Sequence, residues 1–147
     1  MYRNVLLASL VLIAAAAFGV FAGSDMMTTA RDGVFIHISH GSDDPHRVLM
    51  GLRMAELMSI DHDVLVYFDI KGIEVVTADA PDITYKEFHS SQTQLGILAM
   101  QGVTLMACPG CLKAAGKTVD DLAANVQLAD KEQFYSFTQG RILSLDY

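Results

Sequence analysis

The sequence predicts an α/β fold: a doubly wound, mainly parallel five-stranded sheet flanked by helices. Three observations carry this. Apolar runs and helix-like stretches alternate from Gly33 to the last residue, the pattern of repeated βα units. The first run, Gly33-Val-Phe-Ile-His-Ile38, is almost continuously apolar, as strands covered on both faces are. The helical stretches carry start and stop residues, with Asp44-Pro45 and Cys108-Pro109 opening two of them and Gly102 closing a third.

In order, Gly33–Ile38 is the first strand. Ser39-His-Gly-Ser-Asp-Asp-Pro45 turns the chain into a helix with Asp44 as N-cap. Pro45 takes the first helical position, where a missing N–H costs nothing. This helix is expected to reach about Ser59, with Val48, Leu49, Leu52 and Ala55 on one face. Met50, Met54, Leu57 and Met58 occupy much of the other, and a helix apolar on two sides is deeply buried or lies at a subunit contact. Asp63–Asp69 is the second strand. Lys71-Gly72 breaks it, and Ile73–Thr77 reads as a third strand at an edge. Ala78–Ile83, with Pro81, is a loop. Thr84-Tyr-Lys-Glu87 fits a capping box and opens a helix to about Gln101, which Gly102 closes. Val103–Ala107 reads as the central strand. Thr118–Asp121 opens a short helix, Asp130–Gln133 opens the last one, which Gly140 ends, and Arg141–Asp146 is a closing strand.

Ahead of this domain, at 33–147, residues 25–32 read as a linker. Met1-Tyr-Arg3-Asn precedes Val5–Ala22, a run of 18 residues without a charge, and small residues follow at Ala22-Gly23-Ser24. That is the order of a secretory signal peptide. The run is also just long enough to cross a bilayer. Residues 1–24 are therefore expected to be a signal peptide or an N-terminal membrane anchor. The domain is expected in the periplasm or otherwise exported, touching membrane only through an uncleaved N-terminus. Of 10 basic and 17 acidic residues, removal of Arg3 leaves nine against 17, a net charge of −8. This argues against nucleic acid and anionic membrane surfaces as partners.

Both cysteines, Cys108 and Cys111, fall in one stretch, Val103-Thr-Leu-Met-Ala-Cys-Pro-Gly-Cys-Leu-Lys-Ala-Ala-Gly116. A strand delivers Cys108 to the first turn of a helix. Unsatisfied N–H groups there favour an anion and lower a thiol pKa. Lys113 and Lys117 can add positive potential. Two other readings stand beside this one. A disulfide could brace the turn, although closing four residues gains only roughly 2 kcal/mol, or the thiols could be inert packing. In an oxidising compartment the disulfide is the default resting state.

In a parallel sheet the loops after strands gather at the carboxyl edge. This brings His40, Asp43, Asp44 and His46 from the first loop towards Asp69 and Lys71 from the second, His89, and Cys108. His62 lies at the opposite edge and is excluded. His37, inside a strand, reads as a packed or interface histidine. Gly41-Ser-Asp-Asp-Pro45 lacks the spaced glycines and lysine of a phosphate loop and carries two carboxylates. A nucleotide site is set aside and no cofactor is expected. No serine lies in a nucleophile-elbow pattern, so a hydrolase is unsupported, and the methionines read as core filler.

The chain from about Gly33 to Tyr147 resembles the DsrE/DsrF-like family, whose fold is shared with the Tus sulfur-relay subunits. Four stretches carry the resemblance: Ile38-Ser-His-Gly-Ser-Asp-Asp-Pro45 with Arg47-Val-Leu-Met-Gly-Leu52; His62-Asp-Val-Leu-Val-Tyr-Phe68 ending in Lys71-Gly72-Ile73; Gly102-Val103 leading to Cys108; and Gly140-Arg-Ile-Leu-Ser-Leu145. The resemblance implies a homo-oligomer and a cysteine at position 108 that carries sulfane sulfur as a persulfide between a donor and an acceptor protein. This chain departs from the family in its apparent export and in having Cys111, which physically suits a resolving thiol.

The leading expectation is sulfur-carrier or sulfurtransferase-like chemistry, with Cys108 as persulfide site and Cys111 as resolving thiol. The alternatives are a zinc or copper site made from Cys108 and Cys111 with His40, His46 or His89, a thiol–disulfide exchanger, and a non-catalytic oligomeric binding module.

Overall fold

The computed structural model of the chain describes residues 30–147. The leader, its cleavage sites and most of the linker lie outside the described residues. Five strands form one all-parallel sheet: β1 (Gly33–Ile38), β2 (Asp63–Phe68), β3 (Thr104–Ala107), β4 (Gln127–Leu128) and β5 (Ile142–Asp146), in the spatial order β4-β3-β2-β1-β5. The helices are α1 (Pro45–Met58), α2 (Ser91–Met100), α3 (Pro109–Ala114) and α4 (Lys131–Ser136), with 3-10 turns at Ile70–Val75 and Val119–Asp121.

The local signals set α1. Asp44 caps it by accepting the Arg47 N–H at 3.2 Å, and Pro45 stands in its first turn. Its Val48, Leu49, Leu52 and Ala55 are fully buried against Val34, Ile36 and Ile38 of β1 and Val64, Val66 and Phe68 of β2. Met54 and Met58 also pack on this core, so Leu57 is the exposed remainder of the second apolar face. α2 adds Leu95 and Leu98 to the same layer.

Alternation sends Phe35, His37, Leu65, Tyr67 and Met106 to the other face of the sheet. There the short α4 lays Phe134 against Phe35 (5.8 Å between ring centroids) and edge-on to Tyr67 (5.0 Å). One face of the sheet is thus sealed by long helices. The other, beside α4, keeps Phe35, His37 and Tyr67 half-buried.

Four sequence expectations are corrected. Ile73–Thr77 is not a strand: Ile70–Val75 winds as a 3-10 turn, and only Thr77 makes an isolated bridge, to Leu122. Gly72 passes so close to the Ile38 carbonyl that a Cβ there would collide with it, which holds the segment over the end of β1 rather than beside the sheet. The fifth strand is instead Gln127–Leu128. The central strand is β2, with Val103–Ala107 contributing the next one out. Thr84 does not open α2. The helix begins at Ser91, where Asp82 accepts the Gln92 N–H at 3.0 Å and the Ser91 hydroxyl accepts the Ile83 N–H at 2.9 Å. α4 ends at Ser136, short of Gly140. Gly102 closes α2 at φ +72°, as its position suggested.

Candidate functional site

β3 ends at Ala107 and the Cys108 N–H bonds the Phe68 carbonyl (2.9 Å), extending the sheet by one residue. Cys108 is then the N-cap of α3, with Pro109 in its first turn, and its sulfur accepts the Cys111 N–H at 3.4 Å. α3 has only six residues, so direct hydrogen bonds matter more here than the helix dipole. Both cysteines are free and half-buried.

The two thiols are unlike. For Cys108, burial pushes the pKa up, but hydrogen bonds from the Tyr67 hydroxyl, the Cys111 N–H and thiol, and the Gly110 N–H outweigh it and leave it lowered. Cys111 also receives a hydrogen bond, from the Ile70 N–H. Burial, the bond to Cys108 and the charges of Cys108 and Asp69 overcome it and raise its pKa. Tyr67 is raised in turn, through burial and its bond to Cys108. Cys108 is therefore the more acidic of the two thiols. Ile70 donates from a left-handed conformation (φ 47°), unusual for a β-branched residue.

Cys108 and Tyr67 border a largely apolar cavity of about 650 Å³ walled by Phe35, Phe134, Tyr135 and Ile142. A substrate reaching Cys108 through it meets aromatic surface, with Asp130 and Lys131 at the edge.

The histidines lie elsewhere. His40 Nδ1 is 3.2 Å from Asp43, which also pairs with Lys71 (3.0 Å) and accepts the Gly41 N–H. These bonds, with Gly41 first and Lys71 second, hold the Asp43 carboxyl far below the usual range. His46 stacks on Tyr85 with centroids 4.7 Å apart. His89 is exposed, and its carbonyl accepts from the Gln94 side chain. Among the described residues no three His, Cys, Asp or Glu side chains are arranged to hold a metal ion. Lys117 pairs with Asp79 at 2.8 Å, away from the role of supplementing potential at the cysteines. His62 pairs with Asp61 beside the start of β2, away from the cysteines.

Tyr67 and Ile70 are the residues that sequence reasoning passed over, and His37 is the one it read as a packed or interface histidine. His37 Nε2 lies 2.8 Å from Asp69 and Nδ1 3.0 Å from Asp146. A sequence signal did exist: Phe35 and His37, like Tyr67 and Asp69, share strand parity, but nothing local says which face is left open.

The fold and this turn define a class: small parallel α/β domains that present a cysteine at the end of a strand, on a helix cap. The model of the DsrE/DsrF-like family matches residues 32–140, and the chain belongs to that family. Among solved structures, it is similar to the protein of unknown function MTH1491 from Methanobacterium thermoautotrophicum (22% identity, TM-score 0.58, 78% of this chain and 99% of that one). It is also similar to the ychN protein from E. coli (16% identity, TM-score 0.61, again 78% and 99%). At these identities the likeness is one of fold. No curated protein matches the chain.

Proposed function

We propose that this protein is a sulfur carrier in which Cys108 holds a persulfide and Cys111 resolves it. The observation that carries the reading is the asymmetry of the pair: a lowered Cys108 at the N-cap, on the rim of an apolar cavity, and a raised Cys111 within hydrogen-bonding reach. Family membership supports it.

The Cys108 thiolate attacks the outer sulfur of a donor persulfide, R–S–SH. An S–S bond breaks, Cys108–S–SH forms, and R–S⁻ leaves and takes up a proton. Transfer onward is the same exchange, with an acceptor thiolate taking the outer sulfur. Without an acceptor, the Cys111 thiolate attacks Cys108 Sγ. A Cys108–Cys111 disulfide forms and HS⁻ leaves. The apolar wall around the cavity favours sulfane sulfur over a sulfur oxyanion.

The test is intact mass after incubation with a sulfane donor. Sulfur should add to Cys108 in steps of one atom, and Cys108→Ser should abolish it. Cys111→Ser should keep the persulfide and lengthen its life. Label on Cys111, or no effect of either variant, refutes the roles. Stoichiometric zinc or copper lost on mutating either cysteine would install the metal-site reading. The same pair also suits thiol–disulfide exchange, which would appear as mixed disulfides with a protein substrate and no sulfur addition.

Two further parts of the reading are export and self-association. The uncharged run Val5–Ala22 supports export of the domain, and a reporter fused after Gly23 that stays in the cytoplasm rules it out. Exposed Tyr135 (78%) and Ile142 (54%) beside the cavity support a homo-oligomer. A monomer at micromolar concentration in sedimentation rules that out.

A further inference from the structure

The persulfide chemistry above leaves one ionisable cluster unused. The parallel register sets His37 level with Tyr67 on one side and with Asp146 on the other, and Tyr67 level with Met106. Alternation then puts Asp69, two residues beyond Tyr67, and Cys108, two beyond Met106, on that same face. A row of groups results: Asp146, His37, Asp69, then the cysteines.

The spacings within the row are short. Asp146 and Asp69 approach the two ring nitrogens of His37 at 3.0 and 2.8 Å. The Asp69 contact is ionic rather than a straight hydrogen bond, since His37 Nε2 and Asp69 Oδ1 are buried and misaligned, and neither finds another hydrogen-bond partner. Among the described residues neither carboxylate has a second ion pair. Asp69 also begins the turn whose next residue, Ile70, bonds Cys111, so its charge is felt at that thiol.

The other groups facing His37 are few. Tyr67 of β2 and Phe35 of β1 flank the ring, and the backbone N–H of Tyr147 bonds the His37 carbonyl. From α4, Asp130 and Lys131 border the cavity on the Cys108 side. The charge of His37 is thus the one placed to offset Asp69.

We propose that His37 is a positioning residue for the cysteine pair: clamped between two carboxylates, it fixes Asp69 beside Cys111 and masks its charge, so that its protonation sets how readily the resolving thiol ionises. With His37 charged, the field of Asp69 at Cys111 is partly cancelled and the thiol is easier to ionise. When His37 loses its proton, Asp69 acts unopposed and Cys111 holds its proton more tightly. The burial of His37 disfavours its charge, but the two carboxylates more than compensate and raise its pKa. The switch therefore works above the usual histidine range. The proposal rests on the persulfide reading only for the purpose of this tuning.

The test reads thiol acidity without any sulfur donor, so its failure and a failure of sulfur transfer are separate results. In the full chain carrying Cys108→Ser, the rate of iodoacetamide alkylation of Cys111 is followed against pH, beside an NMR titration of the His37 ring. Two inflections are expected, the lower one coinciding with the ring titration. Added to this background, His37→Gln should abolish the lower inflection and slow alkylation roughly threefold below it, where His37 would be charged, a roughly tenfold smaller thiolate fraction being partly offset by its greater nucleophilicity, and leave the profile above the ring titration unchanged. Asp69→Asn should lower the thiol pKa. With Asp69→Asn present, the His37 ring should titrate at lower pH and the lower inflection should move down with it, a dependence that loss of packing alone does not produce. A single inflection in the protein with His37 intact overturns the proposal, and that measurement needs no histidine variant to fold. A lower inflection that persists in His37→Gln, or that stays in place in Asp69→Asn, overturns it too.

Discussion

Replacing Tyr67 by Phe removes one hydroxyl and keeps the ring packed on Phe35 and Phe134, at 6.1 and 5.0 Å between centroids. The lost interaction is a hydrogen bond to the Cys108 thiolate. Hydrogen bonds to charged groups contribute about 1.5–3 kcal/mol. Cys108 is only half-buried, so solvent screening favours the lower end. About 1.5 kcal/mol is roughly one pKa unit. In a Cys111→Ser background, the rate of alkylation by iodoacetamide against pH should therefore shift its inflection up by about one unit, a roughly tenfold smaller thiolate fraction on the rising limb and, with the better nucleophile counted, a roughly threefold slower reaction there. A thiolate of higher pKa is the better nucleophile, with a Brønsted slope of about 0.4–0.5. Above both inflections the Phe variant should react about threefold faster, and the two profiles should cross. Absorbance of the thiolate near 240 nm reads the same shift without chemistry. Superimposable profiles would mean that Tyr67 does not bond the sulfur, and the account of why Cys108 is the more acidic thiol would fall with it.

Other perturbations separate fold from site. Gly72→Ala forces a methyl group into the Ile38 carbonyl and should destabilise the domain by about 2 kcal/mol or more in urea unfolding; an unchanged midpoint would mean the close approach is not held in solution. Phe68→Ala empties a fully buried site in the middle strand and should cost about 3–5 kcal/mol. Asp44→Ala removes the cap of α1 and should cost about 1 kcal/mol by the same assay. The raised pKa of His37 makes its contribution to stability complete below its unfolded value of 6.5 and lost as pH rises through the higher folded value. The urea midpoint should fall through that window, and His37→Gln should flatten the decline; a parallel decline in the variant would assign it to another group.

Where structure is written in neighbouring residues, the sequence was legible. Asp44-Pro45 and Cys108-Pro109 announce helices three residues at a time, and both caps form as read. The strand at Gly33–Ile38 is found at its expected bounds. Failures arise where distant chain decides. Ile73, Val75 and Val76 are buried as an apolar run should be, but burial fixes no backbone period, and the approach of Gly72 to β1 selects a 3-10 turn. The capping box at Thr84 loses to Asp82, which reaches the helix start from ten residues back. β4 is two exposed residues, Gln127 and Leu128, too short to show any alternation. At the site, the cysteines were readable because their chemistry lies in their spacing. Tyr67 and His37 were not, because a strand residue gains a role only when its face is left uncovered, and that depends on how short α4 turns out to be.

The pairing of β1 with β5 has a consequence for how the molecule is made. His37 and Asp146 are 109 residues apart in the chain, and the same join is fastened by Arg141 on Asp32 (2.6 Å) and by the Thr138 hydroxyl on the Arg31 carbonyl (2.6 Å). Bringing ends that far apart together costs about 4 kcal/mol of chain entropy from length alone, and no local helix lowers that barrier. Until Ile142–Asp146 pair with it, β1 is an open edge with a row of unpaired N–H and C=O groups. The five-stranded sheet is therefore complete only once β5 is in place. β5 is the segment that closes this edge of the sheet, so loss of Ile142–Asp146 should act like a lost keystone rather than a trimmed tail.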